Sequence, residues 1–182
     1  MERYCLYLMN IIRILFWKLK YRKELSVHLL QQFEGKILLK VSQKSAAVLK
    51  KGISSRDCLS IIVESGKLII GSNCFFNINC SITCLERIEI GSNCSFANNV
   101  VIVDHDHNYR KMTKEHFLSS PVIIGDNVWV GANCVILRGT VIGDNCVIAA
   151  CSVVKGNVES NMLYYQERTI KNKLIPNQTR SI

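Results

Sequence analysis

The segment from residue 124 to residue 153 consists of five consecutive six-residue units, which read IGDNVW, VGANCV, ILRGTV, IGDNCV and IAACSV. Each unit begins with an aliphatic residue and carries a small residue at its fifth position. A period of six differs from the 3.6-residue period of an α-helix and is too short for a helical repeat. It is typical of a parallel β-helix, in which each unit supplies one short strand and one turn, and the coils stack on each other.

The same register occurs earlier in the chain. Four upstream units keep it, and they begin at Ile70, Phe76, Ile90 and Phe96. We expect the aliphatic first residue and the small fifth residue of each unit to point into the coil, while Gly-Asp-Asn or Gly-Ser-Asn forms the turn. Residues from about 34 to 69 alternate less regularly, but their β-branched runs are consistent with degenerate first coils.

The repeat and its limits divide the chain of 182 residues into one main domain with appendages. The predicted fold class is all-β, a parallel β-helix of hexapeptide repeats with an N-terminal helical segment and an extruded loop. We predict the helical segment at residues 1–33, the β-helix at 34–158 with its loop at about 104–121, and a C-terminal tail at 159–182.

The formal net charge is +9, and the basic residues concentrate near the two ends, from Arg13 to Lys23 and from Arg168 to Arg180. A charged rim that meets an anionic cofactor or a lipid surface explains this placement as well as nucleic-acid binding does. A solvated face is a third interpretation. We expect no nucleic-acid partner.

The nine cysteines do not form the pattern of a disulfide framework. Five of them occupy the inward fifth position of a unit, where only a small apolar side chain fits inside the coil: Cys74, Cys80, Cys94, Cys134 and Cys146. The chain has no CxxC pair and no small-residue cleavage site after its first apolar stretch. We therefore predict core cysteines in a reducing cytoplasm, and no metal site.

The first 33 residues differ in composition from the repeats. Their apolar stretch is interrupted by Asn10 and Arg13 and falls short of the roughly 20 residues that a membrane-spanning helix needs. The segment is interpreted as mostly helical, and two placements stay open. Either it packs on the end of the β-helix, or residues 1–23 lie in a membrane interface with their basic flank on acidic headgroups, at the inner face of the membrane.

The repeat is interrupted at Asp104-His105-Asp106-His107, which begins a polar stretch that does not keep the period. Loops that leave a rigid repeat scaffold often carry function, and two of the chain's four histidines stand at the start of this one. Imidazole can take a proton from a hydroxyl near neutral pH, and the adjacent aspartates can orient the ring or raise its basicity. We therefore predict a catalytic histidine at the start of the loop.

Over about residues 68–158 these motifs resemble the hexapeptide-repeat acyltransferases, and most closely the branch that contains the maltose, galactoside and nodulation-factor O-acetyltransferases. The resemblance implies an active-site asparagine at Asn77. Aligned without gaps from Gly91, it implies a catalytic histidine at His107, with His105 as the alternative.

The segment that begins at Pro121 looks like the family's approach to the acyl-donor groove, and the segment that ends at Lys155 looks like its closing coils. The resemblance implies that six residues lie beside coenzyme A: Trp129, Gly131, Ala132, Ala149, Ala150 and Lys155.

What the resemblance implies for the whole protein is a left-handed parallel β-helix that assembles as a homotrimer, with active sites between subunits. The implied reaction moves an acetyl group directly from acetyl-CoA to a hydroxyl, without an acyl-enzyme. In it, His107 acts as general base, and Asn77 of a neighbouring subunit holds the acceptor or the developing charge. The backbone N–H of Ala132 donates to the thioester oxygen or its oxyanion.

The chain departs from the family's pattern near its C-terminus, where Lys155-Gly156 replaces a Thr-Lys pair and the usual Gly-Asn-Pro-Ala segment is missing. Arg168, Lys171 or Lys173 has the right charge to pair with the phosphates of coenzyme A. Because the N-terminal segment also differs from that of the sugar acetyltransferases, maltose and galactoside are not the expected acceptors. We expect a sugar of a bacterial surface polysaccharide, or its lipid-linked precursor.

Two other functions remain open for a chain with these repeats. A γ-type carbonic anhydrase shares the β-helix and binds zinc through three histidines at subunit interfaces. Here His105, His107 and His116 lie in one loop region, and two histidines two residues apart do not give separated interfacial ligands. The other function is a non-catalytic scaffold that binds partners.

Overall fold

The computed structural model describes residues 2–108 and 116–167, with the side chains of the N-terminal helix from Leu6 onward. Helix α1 spans Glu2–Tyr21, and a short 3-10 helix, Arg22–Glu24, connects it to the first strand. Short strands then follow and, apart from the two strands of one hairpin, each pairs in parallel with strands of the adjacent coils. They line up as three sheets around one apolar core.

The three sheets form the three sides of the coil. The first sheet contains Leu25–Val27, Ala46–Leu49, Lys67–Ile70, Arg87–Ile90, Val122–Ile124, Val141–Ile142 and Asn157–Val158. The second contains Gln32–Phe33, Ser54–Ser55, Phe75–Phe76, Ser95–Phe96, Trp129–Val130, Val147–Ile148 and Leu163–Tyr164. The third contains Ile37–Val41, Leu59–Val63, Ser81–Cys84, Val101–Val103, Val135–Ile136 and Val153–Val154. Equivalent repeat positions therefore stack from coil to coil, as Ile90 does on Ile124.

The interior of the coil is filled by the two positions that the repeat predicts. First residues such as Ile124, Ile136 and Ile148 are at most 2% exposed, and the fifth residues of the units are buried as well. The five cysteines expected in the core are all buried, and each thiol donates to a carbonyl of the next coil, as Cys74 does to Gly91 at 3.1 Å. The predicted β-helix is confirmed.

Asparagine ladders hold the corners of the coil. Asn127, between the first and second sheets, adopts a φ of 57°, in the left-handed region that asparagine tolerates. Its amide accepts from Asn93 at 3.3 Å and donates to Asn145 at 3.1 Å. The preceding Asp126 accepts the backbone N–H of Ser92 at 2.6 Å. The Gly-Asp-Asn motif thus makes the turn and also ties each coil to the next.

Helix α1 packs one face on the first coil. The buried residues of this face are Asn10, Ile14, Trp17 and Tyr21. The Asn10 amide donates to the carbonyl of Phe33 at 3.1 Å, and the Trp17 ring lies 5.9 Å from the Phe33 ring. The Tyr21 hydroxyl donates to the carbonyl of Leu39 at 2.5 Å. The helix therefore packs at the start of the β-helix, which was the first of its two expected placements.

The β-helix extends further at both ends than the sequence indicates. Its first strand is Leu25–Val27, well before residue 34, because this segment already alternates buried and exposed residues although it has no Gly-Asp-Asn turn. Its last strand is Leu163–Tyr164, beyond residue 158, because Asn161 still forms a left-handed corner with a φ of 65°. The domain limits expected at 34 and 158 are corrected accordingly.

Candidate active site

The interruption of the repeat forms an antiparallel hairpin. Strand His105–His107 pairs with Phe117–Ser119, so that His107 faces Phe117 and Asp106 faces Leu118. The base is closed by the Ser120 N–H, which donates to the Asp104 carbonyl at 2.9 Å. The loop expected at about 104–121 is thus a hairpin where it leaves the coil, and its residues 109–115 lie outside the described residues.

Asp104 is fully buried and anchors this hairpin to the coil beneath it. Its carboxylate accepts the backbone N–H groups of Leu85, Glu86 and Arg87 at distances between 2.7 and 3.0 Å. These N–H groups belong to the corner that joins the third sheet to the first. The same carboxylate lies 3.0 Å from Nδ1 of His105. A buried acceptor therefore fixes both the position of the hairpin and the orientation of one imidazole.

The two histidines share one face of the hairpin but differ in their surroundings. Alternate residues of a strand point to the same side, and both rings contact Phe117, with centroid distances of 5.3 Å for His105 and 4.8 Å for His107. The side chain of His105 is 15% exposed and is held by Asp104. His107 is exposed, and no hydrogen bond of its ring occurs within the described part of the chain. His105 is thus the more firmly oriented imidazole.

Asp106 ties the hairpin to the coil above. Its Oδ2 lies 2.6 Å from Nε of Arg138, and Nη1 of Arg138 is 3.5 Å from Oγ of Ser120. Arg138 is a residue of this site that the repeat pattern did not predict. A signal was present, because the unit at Ile136 carries Leu-Arg-Gly where its neighbours carry Gly-Asp-Asn or Gly-Ala-Asn. The hairpin is therefore fixed from two coils, by Asp104 below and by Arg138 above.

Asn77 lies at the corner between the second and third sheets, directly after strand Phe75–Phe76. Its side-chain oxygen accepts the N–H of Ile78 at 2.9 Å. The ladder of this corner passes instead through Asn79, whose amide donates to Asn99 at 2.9 Å. The amide nitrogen of Asn77 has no acceptor among the described residues, so this group is available to a ligand.

Five of the residues expected beside coenzyme A lie on the second sheet or at its corner with the third: Trp129, Gly131, Ala132, Ala149 and Ala150. Trp129 is 55% exposed on the outer face. A Cβ added to Gly131 would lie 2.6 Å from the backbone nitrogen of Ala150, so the two coils approach too closely for a side chain there. Lys155 is exposed and directly follows strand Val153–Val154, at the corner between the third and first sheets. Arg168 lies outside the described residues.

The backbone N–H of Ala132 has no acceptor within residues 2–108 and 116–167. At the other corner the equivalent N–H of Asp126 donates to the carboxylate of Asp144, at 2.7 Å. Ala150 occupies the matching place above Ala132 and has no side-chain oxygen. The Ala132 N–H is therefore free to donate to an oxygen anion at this corner.

His105 and His107 lie at one end of the strands of the third sheet. Asn77 and Ala132 lie at the other end of these strands. His105 follows strand Val101–Val103 at the corner with the first sheet, whereas Asn77 and Ala132 precede third-sheet strands at the corner with the second. About five residues at 3.3 Å each separate the two corners, or roughly 17 Å. One chain does not bring these groups together.

Cys84 is the thiol beside the buried carboxylate of Asp104. Burial raises the pKa of the Cys84 thiol to about 12, and the nearby Asp104 carboxylate acts in the same direction. This thiol is protonated near neutral pH and is not a nucleophile there. Among the described residues, no three His, Cys, Asp or Glu side chains are grouped as metal ligands.

Two segments of the chain match known repeat families. Residues 121–156 match the family described as bacterial transferase hexapeptide (six repeats). Residues 67–103 match the hexapeptide repeat of succinyl-transferase. The two segments lie on either side of the hairpin.

Two proteins of Escherichia coli K12 are similar in sequence. The putative lipopolysaccharide biosynthesis O-acetyl transferase WbbJ is 33% identical over 107 residues, which cover 53% of this chain and 55% of WbbJ. Galactoside O-acetyltransferase is 35% identical over 96 residues, which cover 52% of this chain and 47% of that protein. The chain thus spans about half the length of the curated relatives it matches.

A solved structure shares the fold over a longer region. A variant of the N-acyltransferase AntD from Bacillus cereus superposes with a TM-score of 0.62, covering 79% of this chain and 80% of AntD at 18% identity. At this identity the likeness concerns the fold alone.

Proposed function

We propose that this chain is a member of the hexapeptide-repeat transferases and acts as an acetyl-CoA-dependent O-acetyltransferase on a sugar hydroxyl, because two segments of its coils match hexapeptide-repeat families. Its coils match the left-handed β-helix of that family. Both E. coli relatives carry the name of an O-acetyltransferase. The observation that carries the proposal is the contact between Asp104 and His105, which places an oriented imidazole at the interruption of the repeat.

His105 is the general base in this proposal, in place of the His107 that an ungapped alignment favours. With Nδ1–H donated to the buried Asp104, the lone pair of Nε2 is free to accept a proton from the acceptor hydroxyl. The negative carboxylate also stabilises the imidazolium that this transfer creates. Exposed His107 lacks such a partner among the described residues, so it contributes to the shape of the acceptor site through Phe117.

The proposed reaction is a direct transfer. The acceptor oxygen loses its proton to His105 and attacks the thioester carbonyl, so that a C–O bond forms and the negative charge moves to the carbonyl oxygen. The free N–H of Ala132 donates to that oxygen. The C–S bond then breaks, and the proton on His105 passes to the departing thiolate of coenzyme A. No protein thiol takes part.

The separation of the two corners supports a site built between subunits. In the proposed homotrimer, the His105 hairpin of one protomer faces the corner of its neighbour that carries Asn77 and Ala132. Coenzyme A then lies along that neighbour's second sheet, against exposed Trp129 and the close approach at Gly131. Lys155 stands at the hairpin's corner and has the charge to meet a phosphate.

The acceptor we propose is a sugar of a bacterial surface polysaccharide or its precursor, and the name of WbbJ supports this class. The test is incubation of the purified chain with labelled acetyl-CoA and a panel of surface glycans and their precursors. His105→Ala and His107→Ala are matched variants on one hairpin face.

A labelled glycan is the expected result for the wild type, with a loss of about 10²- to 10⁴-fold for His105→Ala and less than about 10-fold for His107→Ala. The reverse order would assign the base to His107. Absence of any labelled product, together with no binding of acetyl-CoA, would contradict the enzyme and favour the scaffold.

A further inference from the structure

Helix α1 has a second apolar face, opposite the one that packs on the coil. Six large side chains form this face, each between 49% and 77% exposed: Leu8, Met9, Ile12, Leu15, Phe16 and Leu19. At 100° per residue they occupy one continuous stripe of the helix, while Ile14 and Trp17 point to the other side. We refer to these six residues as the apolar stripe. Contiguous exposed apolar surface of this kind marks an interaction site.

Basic residues surround the C-terminal end of the apolar stripe. Lys18 and Lys20 flank it on the helix, and Arg22 and Lys23 follow directly. None of these four makes an ion pair within the described part of the chain. From Leu6 to Lys23 the chain has no acidic residue. The surface therefore combines apolar contact with unneutralised positive charge.

We propose that the apolar stripe and its basic flank dock this protein on an anionic lipid bilayer. The helix lies in the plane of the interface, with the stripe among the acyl chains and the lysines at the level of the headgroups. No helix in the described residues is long and apolar enough to cross a membrane. The docking is peripheral, and the face that packs on Phe33 stays attached to the β-helix.

Charge complementarity favours a bilayer over a second copy of the helix. A parallel two-fold contact between two stripes would bring Lys18, Lys20 and Lys23 of both copies together, and like charges in an interface oppose association. An antiparallel contact would leave these charges unneutralised, because residues 6–23 include no acidic residue. Anionic headgroups neutralise the same residues instead. The stripe is also a convex helix surface, which suits insertion into a fluid layer.

The test uses the full chain and vesicles of phosphatidylcholine, alone or mixed with phosphatidylglycerol. Binding is measured by flotation over a range of salt concentrations. We expect the wild type to bind the mixed vesicles, to bind less as salt increases, and to bind the neutral vesicles weakly.

Three variants separate the two contributions to binding. Ile12→Ser/Phe16→Ser lowers the partition coefficient about 10- to 100-fold through lost apolar insertion. Lys18→Gln/Lys20→Gln/Lys23→Gln lowers it on mixed vesicles by about 100-fold, at roughly five-fold per charge. Leu163→Ser is the matched control, because Leu163 is as exposed as Ile12, at 62% each, but lies on the last coil, and it leaves binding unchanged.

Three results would overturn the proposal. The first is equal partition of the wild type and the stripe variant, and the second is equal binding to neutral and anionic vesicles. The third is absence of vesicle binding together with a changed oligomeric state of the stripe variant in sedimentation, which would assign the stripe to a subunit contact. Circular dichroism checks that the variants fold, which their exposed positions favour.

Discussion

The buried carboxylate of Asp104 makes a quantitative prediction about stability. In Asp104→Asn the side chain keeps its shape, but an amide group replaces one of its two oxygens. When the amide nitrogen takes the place of Oδ1, the contacts of that oxygen with Leu85 N–H and His105 Nδ1 are lost, while the oxygen at Oδ2 keeps the N–H groups of Leu85, Glu86 and Arg87. Two hydrogen bonds to a charged group are worth about 3–6 kcal/mol. Since the N–H of Leu85 keeps its second contact, with Oδ2 at 3.0 Å, we expect the lower end, a loss of about 3 kcal/mol.

The assay is thermal unfolding followed by circular dichroism at one fixed protein concentration, because subunit assembly makes the midpoint depend on concentration. A loss of about 3 kcal/mol lowers the Tm of a chain of this size by about 6–12 °C. Asp106→Asn is the control, because it removes an ion pair with Arg138 whose side chains are 24% and 44% exposed, worth about 0–1 kcal/mol. Equal midpoints for the two variants would refute the anchoring role of Asp104.

Three further predictions concern the coil itself. Folding raises the pKa of the Cys84 thiol from 9.0 to about 12, so as pH rises the unfolded chain loses this proton before the folded chain does. The free energy of unfolding should therefore fall as pH rises from about 9 to 12, and it should fall less in Cys84→Val. A flat denaturation midpoint across that range would contradict this. Asn127→Ala should be less stable than Asn127→Gly by about 1 kcal/mol in denaturant titrations, because alanine resists a φ of 57°; equal midpoints would count against the corner strain. Ser55→Ala should leave the Tm unchanged or raise it by an amount equivalent to about 1 kcal/mol, because the buried hydroxyl has no partner among the described residues; a clear decrease would mean that the hydroxyl is bonded.

The coils were predictable from sequence where the six-residue unit is complete. In such a unit each of the six positions is either buried, exposed or part of the turn. The buried first and fifth residues and the asparagine of the turn can therefore be assigned from the sequence of the unit alone. The first coil has a different corner chemistry, and Leu25–Val27 was therefore missed. Residues without the Gly-Asp-Asn turn gave no local signal for the start of the coil.

The candidate site was predictable only in part, because its contacts join residues far apart in sequence. Asp104 and Asp106 have similar neighbours in sequence. Asp104 is buried and accepts from backbone N–H groups that lie 17 to 19 residues earlier in the chain, whereas Asp106 pairs with Arg138, 32 residues later. Alternation predicts that His105 and His107 share a face. It does not predict which of them meets a buried carboxylate, since that depends on how the hairpin is seated on the coil.

In the proposed homotrimer the reacting groups meet between subunits, and a mixing experiment can detect this arrangement. His105→Ala and Asn77→Ala are each expected to be nearly inactive as pure proteins. Unfolded together in equal amounts and reassembled, they form interfaces in which an intact hairpin meets an intact corner in about one case in four. We expect the mixture to recover about one quarter of the wild-type acetyl transfer. A mixture as inactive as its two parents would contradict it.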